Sequence, residues 1–386
     1  MLVQANALKR FTDHLPALFL AFAVVALLAG SGASAASADT GAKPALGKSL
    51  AGLVKAGAPG VTLFVRHGDA TASLARGVSD TASRTPMRGR DTFRIGSLTK
   101  SYVAIVVLQL EEEGKLSLED PVDRFVPGLV PDGERITIHE LLDHTSGLFD
   151  YEDDPRVLKP YLGGNLGFHW SPRKLVAIAV SHRPLFAPGA RYRYSNTNYL
   201  VAGLIVEAVT GSTLGRELEQ RIFRPLGLRH TAFPLSSHEA FPSAHGYFVL
   251  DRPPATDITG LSPYPWASGA IVSDSREVAR YYAALLSGDL LSAASLAAMK
   301  TTVGQGGEAD ISGAGYGLGI EKIPTSCGTA WGNGGNFPGY LVYALTSADG
   351  RRQVVLTINE DPASLRARLG GMYFRVLEDA FCASTT

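Results

Sequence analysis

The most informative segment of the chain is FRIGSLTK at residues 93–100, which leads into the almost wholly apolar stretch YVAIVVLQL at residues 102–110. A helix that is apolar on every side is buried in a protein core, so we expect a core helix here. Ser97 and Lys100 lie three residues apart at its first turn, which places their side chains on one face and within contact range. The segment therefore predicts a buried serine–lysine pair at the start of a helix.

Such a pair has a defined chemistry. Burial disfavours the charged ammonium and lowers the pKa of Lys100, which lets the amine accept the proton of the Ser97 hydroxyl. The helix N-terminus also directs free N–H groups and positive potential at an oxyanion formed on Ser97. The spacing alone is a weak signal, because SPRK at residues 171–174 repeats it. There we predict that Ser171 caps a helix with Pro172 at its first position, and we assign it no chemistry.

A second polar element is the triplet Tyr194-Ser195-Asn196, just before another apolar helix. A tyrosine here can relay protons between Ser97, Lys100 and a leaving group, while the Asn196 amide can hold substrate and the lysine. The alternative is that Ser195 or Asn196 simply caps the helix, and for the triplet in isolation this alternative is favoured.

The third element is WGNGGN at residues 331–336, followed by a predicted strand at residues 340–346. Glycines at a strand edge allow another backbone or a ligand to approach closely. Taken alone, the segment is more typical of a plain loop.

Taken in chain order, the three elements resemble the motifs of penicillin-binding proteins, DD-peptidases and class C β-lactamases. The likeness is greatest to secreted D-alanyl-D-alanine carboxypeptidases of soil bacteria and extends from about Gly60 to the C-terminus. Further matching segments are HTSGL at residues 144–148, APG at 187–189, YGLG at 316–319 and SCG at 326–328. This breadth identifies the chain as a member of that family.

The resemblance implies that Ser97 is the acylated nucleophile, Lys100 the general base and Tyr194 a proton shuttle. The backbone N–H groups of Ser97 and Asn336 would form the oxyanion hole. The substrate-binding residues that it implies are Asn196, Trp266 (an aromatic lining the cleft), Asn333, Gly334, Gly335 and Asn336. It implies no metal and no cofactor.

The third motif departs from the family pattern. The family usually begins this triplet with His or Lys, then Thr or Ser, then Gly, whereas this chain has Asn333-Gly334-Gly335. A cationic or titratable group and a hydroxyl are thereby lost. Glu321 also stands where the resembling carboxypeptidases carry a basic residue. We expect acyl transfer to persist and the recognition of a substrate carboxylate to weaken.

Both ends of the chain predict antiparallel strands. The β-rich runs at residues 61–66 and 70–77 form a predicted hairpin, and the runs at 340–346 and 353–358 form another around Asp349-Gly350. Residues 363–381 show helical spacing of apolar side chains, and helices dominate the middle of the chain.

These patterns predict an α/β (α+β) fold of the β-lactamase/transpeptidase kind. An antiparallel sheet with N- and C-terminal helices would comprise residues 39–114 and 301–386, and a mostly helical domain, residues 115–300, would be inserted. The cleft between the two is the expected site.

The N-terminus predicts export. Lys9 and Arg10 precede an apolar centre at residues 17–29, and small residues at 33–38 fit a signal-peptidase site. The alternative is a retained membrane anchor, for which the apolar centre is short. We expect residues 1–38 to be a signal peptide, the mature protein to be secreted, and no membrane contact after cleavage.

The remaining composition limits partners and metals. The 36 basic and 36 acidic side chains cancel, so nothing favours nucleic acid. Cys327 and Cys382 suggest one disulfide in an exported chain, and the resembling enzymes form one there; two buried thiols are the alternative. Two cysteines are too few for structural zinc, and we expect His139 and His144 to be structural because helical zinc pairs are four residues apart.

The leading function is a D-alanyl-D-alanine carboxypeptidase-like hydrolase acting through an acyl-enzyme, with cell-wall peptidoglycan as one source of substrate. Alternatives on the same scaffold are an esterase, a D-amino-acid amidase or peptidase, and a β-lactamase. A non-catalytic binder of penicillin or peptidoglycan peptides is a further alternative, and the intact Ser97, Lys100 and Tyr194 argue against it.

Overall fold

The computed structural model describes residues 42–236, 239–248, 255–304 and 314–383. The predicted signal peptide, residues 1–38, lies outside this part of the chain. None of the described helices combines the length and the apolar character needed to span a bilayer.

The described strands pair antiparallel throughout. They are β1 (Gly60–His67), β2 (Ala70–Asp80), β3 (Thr85–Pro86), β4 (Phe93–Arg94), β5 (Tyr247–Phe248), β6 (Thr256–Asp257), β7 (Val272–Ser273), β8 (Val303–Gly304), β9 (Gly315–Tyr316), β10 (Glu321–Thr325), β11 (Gly328–Phe337), β12 (Tyr340–Ser347) and β13 (Arg352–Ile358). Nine of them form one sheet in the order β3-β2-β1-β13-β12-β11-β10-β9-β8, while β4 pairs with β7 and β5 with β6. Both predicted hairpins, β1–β2 and β12–β13, are confirmed.

The α-helices lie mostly in the middle of the chain. They are α1 (Ala42–Lys55), α2 (Thr99–Glu112), α3 (Ile138–Leu142), α4 (Pro155–Leu162), α5 (Pro172–Val180), α6 (Asn196–Thr210), α7 (Leu214–Leu218), α8 (Ser275–Ser287), α9 (Ala293–Met299), α10 (Pro362–Leu369) and α11 (Met372–Cys382). Thr137 begins α3 with a capping box that Glu140 completes. Ser171 is the N-cap of α5, with Pro172 at the first position, as its sequence predicts.

The large sheet separates two apolar layers, because alternate residues of a strand point to opposite faces. Val354 packs with α1, α10 and α11 from the chain ends, whereas its neighbour Val355 packs with α2 and the other middle helices. Helix α2 is buried along its whole N-terminal two thirds, from Thr99 to Leu108. The predicted core helix and the sheet flanked by terminal helices are therefore confirmed. The domain limits at residues 114 and 300 stay a prediction.

The C-terminal helix differs from its prediction. A single helix over residues 363–381 was expected, but Gly370 and Gly371 separate α10 from α11. Gly370 adopts a left-handed φ of 51°, which ends a helix at low cost only for a residue without Cβ. A disulfide between Cys327 and Cys382, with Cα atoms 5.5 Å apart, ties the end of α11 to the β10–β11 turn. The predicted disulfide is present.

Candidate active site

Segments far apart in sequence meet at the N-terminus of α2. Ser97 lies on a 3₁₀ turn, Gly96–Leu98, that leads into the helix, and Lys100 lies in its first turn. Tyr194 and Asn196 lie at the start of α6, and the turn Trp266–Ser268 packs beside them. The structure thus brings the first two sequence motifs together.

The Lys100 amine is wholly buried and has three oxygen neighbours. Its Nζ lies 2.9 Å from Ser97 Oγ, 2.8 Å from Asn196 Oδ1 and 2.8 Å from the carbonyl oxygen of Ser268. Burial lowers the pKa of Lys100 to about 7, against the opposing effect of nearby carboxylates. A neutral amine has two N–H groups and one lone pair. The Asn196 amide oxygen and the Ser268 carbonyl oxygen accept hydrogen bonds from these two N–H groups, so the lone pair faces the Ser97 hydroxyl.

The Tyr194 hydroxyl completes the surroundings of Ser97. It donates a hydrogen bond to Ser97 Oγ at 2.8 Å, and the Lys100 Nζ lies 4.9 Å from the centroid of its ring. Burial raises the pKa of Tyr194 well above its ordinary value, and the hydrogen bond to Ser97 only partly opposes this. The phenol therefore stays protonated at neutral pH and is a proton donor rather than a base.

Asn196 is held by an acidic side chain that sequence reasoning missed. The backbone N–H and the side-chain Nδ2 of Asn196 both donate to Asp150 Oδ2, at 3.0 and 2.9 Å. The opposite end of the amide, Oδ1, accepts from Lys100. Asp150 thus fixes the amide so that its oxygen faces the lysine. The sequence predicted that Asn196 holds the lysine, and this contact is present.

Two glycines allow the Ser97 turn and strand β11 to approach each other. A Cβ on Gly96, whose φ is 53°, would lie 2.4 Å from the Asn336 carbonyl oxygen and 2.8 Å from the Asn336 nitrogen. A Cβ on Gly335 would lie 2.1 Å from the carbonyl oxygen of Ile95. Both distances are far below van der Waals contact, so only glycine fits. The backbone groups of Ser97 and Asn336 are therefore close neighbours, as a two-donor oxyanion hole requires.

Two predicted cleft residues have buried side chains. Asn333 is 1% exposed, and its amide accepts from the Tyr282 hydroxyl and donates to the Gly319 carbonyl oxygen. Two groups of the protein thus hold the Asn333 amide in place. The Trp266 indole is also buried, against Gly203 of α6 and the ring of Phe233. The substrate contacts of both side chains stay a prediction.

Three further side chains at the site carry carboxyl groups. Glu152 and Glu321 are partly exposed, and together with Asp150 they act electrostatically on Lys100. Burial raises the pKa of Asp150 and of Glu152, and their mutual repulsion raises that of Glu152 further. Burial also raises the pKa of Glu321 to about 7, although the Gly334 backbone N–H donates to it.

Sequence reasoning found Glu321 but missed Asp150 and Glu152. Their only signal is the acidic run DYEDD at residues 150–154, directly after the HTSGL segment, and such runs are usually solvated surface. The Ser268 carbonyl was also missed, because a backbone acceptor has no signature in the sequence.

One group in the described part of the chain has the composition of a metal site: His230, Asp274 and Glu277. Glu277 already accepts from the backbone N–H groups of Arg229 and His230, and Asp274 caps α8. These carboxylates therefore serve as backbone acceptors. His139 and His144 have different surroundings, since His144 is buried, whereas the His139 ring is 45% exposed and lies 3.4 Å from Glu119 and 3.9 Å from the buried Asp143.

The fold and the Ser97–Lys100–Tyr194 arrangement are those of penicillin-recognising serine hydrolases. The family model described as Beta-lactamase matches residues 40–372, and the chain belongs to this family. The predicted family and fold are confirmed.

Individual relatives show a range of substrates within the family. A D-stereospecific amidohydrolase from Streptomyces sp. is 36% identical, with a TM-score of 0.75 over 85% of this chain and 98% of that one. The D-amino acid amidase from Ochrobactrum anthropi SV3, complexed with L-phenylalanine amide, is 27% identical, with a TM-score of 0.76 over 87% and 97%. The putative penicillin-binding protein PbpX of Bacillus subtilis is 27% identical over 80% of this chain and 72% of its own length.

Proposed function

We propose that the protein hydrolyses amides, short peptides and esters whose acyl group carries a free amine, through an acyl-enzyme on Ser97. The observation that carries the proposal is the set of carboxylates around Lys100, formed by Asp150, Glu152 and Glu321. Burial raises the pKa of each of these carboxyl groups, so an ammonium bound beside them favours their ionised forms and is attracted, whereas a carboxylate gains no such partner.

The bond changes follow from the distances at the site. Neutral Lys100 takes the proton of the Ser97 hydroxyl while Oγ attacks the carbonyl carbon. The oxygen of the tetrahedral intermediate accepts from the backbone N–H groups of Ser97 and Asn336. Tyr194 gives its proton to the leaving nitrogen as the C–N bond breaks, and the Lys100 ammonium returns a proton to the phenol. Water then hydrolyses the ester on Ser97 by the same route.

The substrate amine has suitable acceptors. Glu152 is partly exposed, and its Oε1 accepts a hydrogen bond from the neighbouring Tyr151 hydroxyl at 3.2 Å. Asn336 Oδ1 is buried and has no hydrogen-bond partner among the described residues. Buried acceptors without donors cost free energy, and an N–H group of a ligand removes that cost. The amidohydrolase and amidase relatives support D-aminoacyl groups as the acyl part.

The D-alanyl-D-alanine carboxypeptidase activity is the second candidate. The resemblance of the three motifs to those of DD-peptidases and the similarity of the chain to the penicillin-binding protein PbpX favour it. It requires a group that binds the free carboxylate of the substrate, and Asn333 is buried away while Glu321 repels an anion. We therefore rank amides and esters above free-acid peptides. We also propose secretion, on the predicted signal peptide; the N-terminal residue of the protein recovered from culture medium tests it.

The decisive experiment compares D-alanine p-nitroanilide with its N-acetyl derivative and with a D-Ala-D-Ala peptide. We expect kcat/KM for the free amine to exceed that for the acetylated amide roughly ten- to a hundredfold, the size of a charge-assisted hydrogen bond. Glu152→Gln removes a carboxyl group that can ionise beside the ammonium and reduces that preference, whereas Glu119→Gln on the surface leaves it unchanged. Equal rates for the free and acetylated amides would contradict amine recognition.

The covalent step has its own control. Ser97→Ala abolishes turnover and labelling by a penicillin or a fluorophosphonate. Ser171 also begins a Ser-x-x-Lys segment, and the control variant Ser171→Ala retains both activities. A burst of product followed by steady turnover distinguishes an enzyme from a binder, which releases at most one equivalent. An adduct on the Ser97→Ala protein would contradict the assigned nucleophile.

A further inference from the structure

His144 lies beside the site but takes no part in the proposed bond changes. Its side chain is wholly buried, and its backbone is left-handed, with φ of 65°. A residue with a Cβ adopts this conformation at a cost, which is sustained only where surrounding contacts hold it. The contacts of His144 therefore indicate what the conformation achieves.

His144 contacts three consecutive residues around the proton donor. Its carbonyl oxygen accepts from the Arg193 backbone N–H at 2.9 Å, and its Nδ1 accepts from the Ser195 backbone N–H at 3.2 Å. Between these bonds, its ring packs on the Tyr194 ring, with centroids 4.3 Å apart. The backbone carbonyl and the imidazole of His144 thus hold the residues on both sides of Tyr194.

The acceptor role of the ring requires a neutral imidazole. Nδ1 also receives a hydrogen bond from the Asn198 side chain at 3.1 Å, so two donors converge on this atom. Asn198 is itself oriented by Ser146, whose hydroxyl donates to Asn198 Oδ1 at 2.6 Å. The proton of the neutral ring must then lie on Nε2, because an Nδ1 that accepts carries none. Burial lowers the pKa of His144 well below its ordinary value, which favours the same state.

We propose that His144 is a positioning residue that aligns the Tyr194 hydroxyl with Ser97 Oγ through its Nδ1 acceptor and its ring face. The inference rests on the proposed function, in which Tyr194 is the proton donor. The alignment is a 2.8 Å hydrogen bond, and a displacement of about 1 Å at such a group costs on the order of a hundredfold in rate. Loss of the acceptor would also leave the buried Ser195 N–H unpaired.

Two substitutions separate the acceptor from the ring. His144→Asn places an oxygen near the former Nδ1 position and tolerates a left-handed backbone, whereas His144→Gln places its polar group near the Nε2 position. We expect the Asn variant to keep the maximal rate of fluorophosphonate acylation within about threefold, and the Gln variant to lose roughly ten- to a hundredfold. His139→Asn, at the half-exposed histidine five residues earlier, is the matched control and keeps the full rate. Equal rates for the two His144 variants overturn the proposal.

A double-mutant cycle tests whether His144 acts through the phenol. His144→Phe keeps a ring but no acceptor, and we expect it to lower the maximal acylation rate roughly ten- to a hundredfold with little change in reagent affinity. In a Tyr194→Phe background, the same substitution should lower the rate less than about twofold, because the hydroxyl to be aligned is gone. If the losses of the two single variants multiply in the double variant, the proposal is overturned. If His144→Phe does not fold, the comparison of His144→Asn with His144→Gln decides between the two outcomes. Labelling of the natural protein at Ser97 tests the proposed function separately.

Discussion

The state of the Lys100 amine leads to a quantitative prediction for the pH dependence of acylation. Burial lowers the pKa of Lys100 to about 7, and the base is active only when neutral. The acylation rate should therefore rise with pH and level off above about pH 8. At pH 5, two units below the pKa, about 1% of the amine is neutral, so the rate should be roughly a hundredfold below the plateau.

Substitution of the lysine tests the same point without changing pH. Lys100→Arg keeps a cation but stays protonated at every accessible pH. It also cannot repeat the geometry in which two N–H groups meet Asn196 and Ser268 while a lone pair faces Ser97. We expect acylation by this variant to fall at least about a thousandfold, toward the loss seen when a catalytic base is removed.

The assay is single-turnover acylation by a neutral chromogenic ester or fluorophosphonate from pH 5 to pH 9. A neutral reagent is necessary because Glu152 and Glu321 have raised pKa values and titrate in this interval, which would alter the binding of a charged substrate. Lys174→Arg, beside Ser171, is the control. A flat profile, or near-normal acylation by Lys100→Arg, would refute Lys100 as the base.

Three other predictions concern neighbouring groups. Glu321→Gln removes a carboxylate that favours the Lys100 ammonium, so the rising limb of the acylation profile should move to lower pH; a shift to higher pH contradicts this. Asn333→Ala removes the acceptor that lies 2.7 Å from the buried Tyr282 hydroxyl and should lower the free energy of unfolding in urea by about 1–3 kcal/mol, while the kcat/KM ratio of a D-Ala-D-Ala peptide to its C-terminal amide stays constant. The disulfide closes a loop with a sequence separation of 55, and its reduction should cost about 4 kcal/mol of unfolding free energy. Alkylatable thiols in the protein isolated without reductant would contradict the disulfide.

Local patterns in the sequence determined much of the architecture. The apolar run of α2 places Ser97 and Lys100 on one helical face, since residues three apart on a helix are neighbours wherever the helix lies. The β12–β13 hairpin follows from two apolar runs on either side of Asp349-Gly350 for the same local reason. The contact of Tyr194 with Ser97 at the start of this helix was predicted from the family resemblance, because residue spacing along the chain does not indicate it.

Only the tertiary structure decided which groups complete the site. Lys100 meets Asn196 and the Ser268 carbonyl across 96 and 168 residues, and contacts of such separation follow from how the layers pack. Packing likewise buries the side chains of Asn333 and Trp266, which the sequence does not indicate. It also turns Asp150 and Glu152 of the acidic run at residues 150–154 toward Lys100, where Asp150 holds Asn196 and burial raises the pKa of both carboxyl groups. A sequence position specifies a side chain, but its direction and its burial belong to the folded molecule.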